Sequence, residues 1–404
     1  MSLIVQKYGG SSLGNKNKII NVAERIIETY EKGNKVVIVA SAMGDTTDEL
    51  IEKMNNITND PAPREMDMLL TTGEQESIAL LTMAIHDKGY PAISLTGSQV
   101  KITTDNNHNQ AEILKIDNQR IENELEQEKI VVVAGFQGIN SREDFTTLGR
   151  GGSDTTAVAL AATLNANRCE IYSDVEGIYS ADPRIVSNAC KLDQISYEEM
   201  LELANLGAEV LHPRSVELAR AYNLKLYIAS SYNNNPGTIV EGVKNMEKRN
   251  NVTGVTSDKK EVKITVEEVP DKPGIAGFLF SKLADNGINV DMIIQNLQHQ
   301  NLNDITFTVN KNELKKKKKI INKIAEELEP ENIEVDTDVA KVSIVGAGMI
   351  STPGIAARMF KTLGQAGINI QMITTSDIKI SCLIEEKYAD KAVNAIHENF
   401  NLTD

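Results

Sequence analysis

The chain has 404 residues, of which 41% are hydrophobic and 25% charged, with a formal net charge of −15. That length allows two to three domains, and the acidic balance argues against nucleic acid or an anionic membrane as partner. The three cysteines, Cys169, Cys190 and Cys382, fit no zinc spacing, no apolar run reaches the roughly 18 residues of a membrane helix, and no signal-like stretch opens the chain, so it reads as cytoplasmic.

Residues 3–8 alternate as a strand and run into Gly9, Gly10 and Ser11. A helical pattern over 16–32 stops at Gly33. The run KVVIVAS (35–41) is a strand of the kind buried on both faces of a parallel sheet, followed by the glycine turn SAMGDTTDEL (41–50). Residues 63–87 read as a helix interrupted around Thr71, Thr72 and Gly73; 92–97 as a strand; 117–128 as a charged amphipathic helix; and 130–138 as a buried strand ending in glycine. In TLGRGGSDTTAVALAATLN (147–165), glycines at 149, 151 and 152 precede Ser153, Asp154 and Thr155 at the start of an Ala/Leu-rich helix. The hydroxyl and carboxylate side chains there are expected to cap the helix, whose amino end attracts anions. A strand (168–174), helices at 196–204 and 213–222, and a strand (224–230) follow.

Strands alternating with helices over 1–240 predict an α/β domain with a mostly parallel sheet flanked by helices. Its polar, glycine-rich turns recur directly after strands, at 9–12, 41–48, 135–138, 149–154 and 173–184. Ligands of open α/β sheets bind at those carboxyl ends.

Residues 241–250 read as a linker, and an internal repeat lies beyond it. DKPGIAGFLFSKLADNGINVDMI (271–293) and STPGIAARMFKTLGQAGINIQMI (351–373) align without gaps, with 11 of 23 positions identical. Each copy predicts strand, helix, glycine stop, strand, within a βαββαβ unit. The second copy ends one element short, and NVTGVTS (251–257) is a spare strand. The expected arrangement is therefore a first unit (262–337) inserted in a second (251–261 with 338–404), which forces the two together. The run Lys315–Lys319 fits a solvated helix face better than a nucleic-acid site.

Several residues at the strand ends suit anionic chemistry. Lys7 can reach a phosphate held by the Gly9 and Gly10 amides, or be a solvated lysine at a sheet edge. Thr47 can line a site or cap a helix. Glu74 is a ligand group or an acid favoured by a helix dipole. Arg150 offers a planar fork for carboxylate or phosphate, with little apolar surface nearby to cover. Asp154 is functional or an N-cap. Asp174, Tyr179 and Arg184 lie on a long polar loop, either functional or stabilised by Asp-Pro turn chemistry. No HExxH, CxxC or clustered His/Cys set suggests a metal held by protein alone.

Taken together, KYGGSS (7–12), SAMGDTTD (41–48), TGEQES (72–77), GRGGSD (149–154), SDVEGIYSADPR (173–184) and LHPRSVE (211–217) resemble the aspartokinases of the amino-acid kinase superfamily. The C-terminal pair resembles tandem regulatory ACT domains of ferredoxin-like fold. The resemblance implies ATP-dependent phosphorylation of the β-carboxylate of L-aspartate, with Mg²⁺ carried by the nucleotide, toward lysine (through diaminopimelate), threonine and methionine. By it, Lys7 stabilises the transferring phosphoryl group over Gly9, Gly10 and Ser11. Thr47, Glu74, Phe136, Arg150 and Ser153 line the aspartate site, Asp154 completes the catalytic centre, and Ser173, Asp174, Tyr179 and Arg184 hold the nucleotide. It also implies feedback by lysine or threonine bound around Asn289 and Asn369, and a homo-oligomer formed through the ACT domains. One departure is Glu209, in GAEVLHP, where the family often carries lysine. Other kinases of the superfamily, and an inactive amino-acid sensor, are the competing readings.

Overall fold

The computed structural model describes residues 2–208, 210–242, 251–297 and 302–403. The chain divides into two compact units, Met1–Ile178 with Lys191–Met246, and Tyr179–Cys190 with Glu247–Asp404.

The first unit is built on an eight-stranded sheet. From edge to edge it runs Gln194–Ile195, Thr238–Val240, Leu226–Ser230, Arg168–Ser173, Leu3–Tyr8, Lys35–Ala40, Ile130–Ala134 and Ala92–Leu95. All neighbours are parallel except Leu226–Ser230 with Thr238–Val240. Val36 to Ala40 and Ile130 to Ala134 are continuous apolar runs because both faces of the sheet are covered there, whereas Leu3–Tyr8 and Arg168–Ser173 carry the buried polar residues Gln6, Lys7 and Glu170. On one face Val36, Ile38, Ala40, Ile130 and Val132 pack with Ile19, Val22, Ala23 and Ile26 of the helix Lys16–Glu31, and with Ile78, Leu81 and Ile85 of the helix Pro63–Asp87. Asn15 caps the first of these helices by accepting from the Lys18 amide at 3.0 Å, and Pro63 opens the second.

Two expectations need correction here. The helix Pro63–Asp87 is unbroken. The Thr71 and Thr72 hydroxyls bond back to the carbonyls of Met68 and Leu69, and Gly73 is there for clearance, since a Cβ on it would come within 3.0 Å of Ala42 Cβ. The strand expected over 130–138 stops at Ala134. Phe136 takes a left-handed φ of +68°, and Gln137–Ile139 turns into a separate four-stranded sheet with Phe145–Thr147, Ile102–Thr104 and Ile113–Ile116. The bend falls in the glycine-bearing stretch 135–138, expected from sequence as a strand-end turn; the left-handed conformation of Phe136 is what the sequence does not show.

The second unit holds two antiparallel sheets. One runs Ile293–Leu297, Leu302–Asn310, Glu261–Pro270, Asn332–Asp336; the other Gly254–Asp258, Val339–Val345, Lys379–Glu385, Met372–Thr375. Gly254–Asp258 pairs with Val339–Val345, so the chain before the first βαββαβ unit supplies the strand the second one lacks. Equivalent lysines link the two: Lys341 pairs with Glu261 at 2.7 Å and with Asp291, and Lys263 donates to Gln371 at 2.8 Å. Residues 179–190 belong to this unit, where Ala181 and Val186 join the core of Val255, Ile344 and Ile396.

Candidate active site

The carboxyl end of Leu3–Tyr8 meets the turns after Lys35–Ala40 and Ile130–Ala134 and the amino end of the helix Gly152–Thr163. They enclose a cavity of about 380 Å³ lined by Lys7, Gly10, Ser41, Ala42, Gly44, Thr47, Glu74, Phe136 and the run Gly149 to Asp154. Gly10 has no room for a side chain, because a Cβ there would stand 2.6 Å from the Ala42 carbonyl oxygen. The Gly44 amide donates to the Gly10 carbonyl at 3.0 Å, which locks the two turns together.

Lys7 Nζ and Asp154 Oδ1 lie 2.6 Å apart, with only 11% and 12% of their side chains exposed. A pair this well shielded from solvent is fixed in place far more firmly than a surface pair. Asp154 is not a cap. The N-cap of its helix is Gly151, in a left-handed conformation with no side-chain cap bond, so Ser153 and Asp154 occupy the first turn and face the cavity. The helix amino end adds positive potential there.

Glu74 projects from mid-helix. Its Oε1 accepts from the Ala42 amide at 3.2 Å, whereas Oε2 is buried without a partner. Burial pushes its carboxyl up to about 8, against the smaller opposing pull of backbone hydrogen bonds. A buried, unsatisfied acid on a cavity wall is suited chemically to a cation or a hydrogen-bond donor.

Phe136 carries backbone strain, since an aromatic residue at positive φ is a genuine outlier. Its amide donates to Thr156 Oγ1 at 3.1 Å and its carbonyl accepts from the Leu148 amide at 2.9 Å. Its ring lies against Gly152, where a Cβ would come within 2.8 Å. Arg150 is exposed on the turn between Gly149 and Gly151, both at positive φ. His212 packs under that turn, and burial holds its imidazole below the ordinary value against the pull of Asp154.

The cavity therefore gathers Lys7, Gly10, Thr47, Glu74, Phe136, Arg150, Ser153 and Asp154, with Gly9 adjoining Lys7 Nζ. Ser11, Ser173 and Asp174 are not part of its lining. The Ser11 carbonyl accepts from Lys18 Nζ and the Tyr232 hydroxyl, and the Ser173 carbonyl from the Ser231 amide. Tyr179 and Arg184 fall in the other unit, where Arg184 forms a bidentate pair with Asp182. Asn289 and Asn369 are both exposed, and the Asn289 amide donates to Glu313. Glu209 lies outside the described residues. Ser41, Ala42 and His212 line or support the site without having been singled out by residue type; only their motifs pointed to them.

The amino acid kinase family model matches residues 2–230, and two ACT domain models match 264–326 and 342–400. An aspartate kinase of Pseudomonas putida is 48% identical over 404 residues, covering 100% of this chain and 98% of its own. The chain belongs to the aspartokinases of the amino acid kinase family. An aspartokinase of Bacillus sp. (strain MGA3) is 50% identical over 403 residues, covering 100% of this chain and 98% of its own. Escherichia coli aspartokinase III, solved in complex with aspartate and ADP, is 24% identical and covers 98% of this chain and 99% of its own at a TM-score of 0.82, which shows a shared fold. The cavity thus lies within the kinase part of an aspartokinase chain, and the antiparallel units are its ACT domains.

Proposed function

We propose that the cavity of this aspartokinase binds L-aspartate and directs its β-carboxylate onto the γ-phosphorus of ATP. One carboxylate oxygen forms the new P–O bond as the bond to the β-phosphate oxygen breaks, giving 4-phospho-L-aspartate and ADP. A carboxylate needs no general base, so catalysis rests on positioning and on offsetting the repulsion of two anions. Lys7 supplies the charge at the transferring group, oriented by Asp154. Arg150 takes a substrate carboxylate, Glu74 the α-ammonium, and Thr47, Ser153 and Phe136 complete the walls. Gly9 and Gly10, with Ser11, Ser173 and Asp174 beyond the cavity, serve the nucleotide side. Tyr179 and Arg184 are not used in this reading. Among the described residues no group of three or more His, Cys, Asp or Glu could hold a metal, and Mg²⁺ is read as arriving on the ATP phosphates.

The observation that carries the reading is the unpartnered, buried Glu74 carboxylate across one cavity from Arg150 and the Lys7–Asp154 pair. It supplies complementary sites for an ammonium and for carboxylates. The reading extends to supply of lysine through diaminopimelate, threonine and methionine, with feedback by lysine or threonine at the ACT domains, around Asn289 and Asn369, and to self-association through those domains. Acceptor dependence of ADP release tests it. Aspartate stimulates release, and glutamate, N-acetylglutamate and carbamate do not; stimulation by one of those and not by aspartate overturns it.

A further inference from the structure

The turn carrying Arg150 is poorly suited by composition to hold a side chain still. Three of its four residues, Gly149 to Gly152, are glycines, the most conformationally free residue. Fixing it requires anchors from outside, and they are present. The Thr147 hydroxyl donates to Asp67, fully buried on the helix Pro63–Asp87, at 2.6 Å. Asp67 also receives the Asn109 amide at 3.2 Å and lies 2.6 Å from His108 Nδ1. The Leu148 amide is taken by the strained Phe136. The remaining group at the base of the turn is the Leu148 carbonyl, and Arg214 takes it.

We propose that Arg214 is a positioning residue for the acceptor side of the site, holding the base of the glycine turn so that Arg150 is aimed into the cavity. Arg214 stands in the first turn of the helix Pro213–Ala221. Its Nη1 donates to the Leu148 carbonyl at 3.1 Å and its Nη2 to the Ala111 carbonyl at 3.0 Å. Both carbonyl residues are buried, and the Ala111 amide itself bonds to the Thr147 carbonyl at 2.9 Å. One planar fork thus ties two adjacent backbone segments, 111 and 148, to a third element. A lysine at 214 presents a single ammonium and cannot reproduce the two parallel donors. Two residues before Arg214, the N-cap His212 closes the other side of the turn: a Cβ on Gly151 would stand 2.3 Å from His212 Cβ. The helix start 212–214 therefore grips the turn at both its entry and its exit. Removing the fork leaves two buried carbonyls without their charged donor and frees Leu148, which also holds Phe136.

The role in substrate positioning rests on the aspartate reading above, whereas the clamp itself is testable without it. Hydrogen exchange on the unliganded protein gives the independent arm. Arg214→Ala speeds exchange of the Ala111, Leu148 and Gly152 amides by about tenfold or more, and leaves the helix 16–31 unchanged. Unchanged exchange at those three amides overturns the clamp whatever the substrate is. In steady-state kinetics, Arg214→Ala raises KM for aspartate by about tenfold to a hundredfold with KM for ATP within about threefold, and Arg214→Lys recovers only part of the loss. Millimolar guanidinium chloride restores the aspartate KM of Arg214→Ala and does nothing for the wild type. A parallel rise in both KM values, without guanidinium rescue, reduces Arg214 to a scaffold residue and refutes the positioning role. A wild type that ignores aspartate fails the aspartate reading instead, and leaves the exchange result to judge the clamp.

Discussion

Glu74 makes aspartate binding depend on pH in a calculable way. Burial raises its carboxyl to about 8, so in the free protein at pH 7 about nine-tenths of Glu74 carries a proton. An incoming ammonium pairs only with the ionised form. Binding at pH 7 therefore expels close to one proton and loses about 1.4 kcal/mol relative to binding at high pH. KM for aspartate falls nearly tenfold for each pH increment below about 8 and levels off above it, while KM for ATP does not follow. Calorimetry at pH 7 in buffers of different ionisation enthalpy reads the released proton directly. Stability shows the complementary sign. The folded-state value lies above the ordinary 4.5, so the protonated acid favours folding, and that contribution, of about 5 kcal/mol by the full displacement, is complete below 4.5 and lost as pH rises through 8. Glu74→Gln stays neutral throughout, so its melting temperature gains on that of the wild type as pH rises from 5 to 9, although it no longer binds aspartate. An aspartate KM that is flat from pH 6 to 8, together with a constant melting-temperature difference, would refute the buried, unpaired state of this carboxyl.

Lys7→Ala loses about a hundredfold to a thousandfold in kcat with an unchanged circular dichroism spectrum, because a preorganised charge at the transferring group is removed. Unchanged kcat removes its role. Arg150→Ala raises KM for aspartate far more than KM for ATP; equal rises place Arg150 elsewhere. Gly151→Ala adds a Cβ at a φ of +71° against His212, for a cost of about 1–3 kcal/mol and a melting temperature lower by roughly 5 °C, measurable by scanning calorimetry. Asn369→Ala weakens amino-acid inhibition and spares activity without effector; identical inhibition curves for every amino acid refute that site.

The elements that were legible from sequence are those whose cause is local or repeated. Val36 to Ala40 and Ile130 to Ala134 are apolar at every position, which only a strand covered on both faces explains. The repeat around Pro273 and Pro353 left Gly254–Asp258 as the one strand able to complete the second ACT unit. Gly73 misled because a glycine inside a helix reads the same whether it breaks the helix or clears a neighbour, and the neighbour here, Ala42, lies 31 residues earlier. Phe136 misled because nothing in an aromatic side chain announces a positive φ; the strain is imposed by Thr156 and Leu148. In the site, Lys7, Glu74, Arg150 and Asp154 stood out by charge beside glycine. The bond from Arg214 to Leu148 spans 66 residues, and no spacing rule reaches that far. In the loop 179–190, Ala181 and Val186 are buried in the core of the second compact unit, a packing its polar, Pro-containing sequence does not reveal.

Trapping of the acyl phosphate tests the central claim most directly. Wild-type protein incubated with ATP, Mg²⁺, L-aspartate and hydroxylamine should form aspartyl β-hydroxamate in step with ADP, and Lys7→Ala should form almost none. ADP release without hydroxamate, or hydroxamate formed equally from glutamate, would contradict a cavity built to place the β-carboxylate of aspartate against the γ-phosphorus.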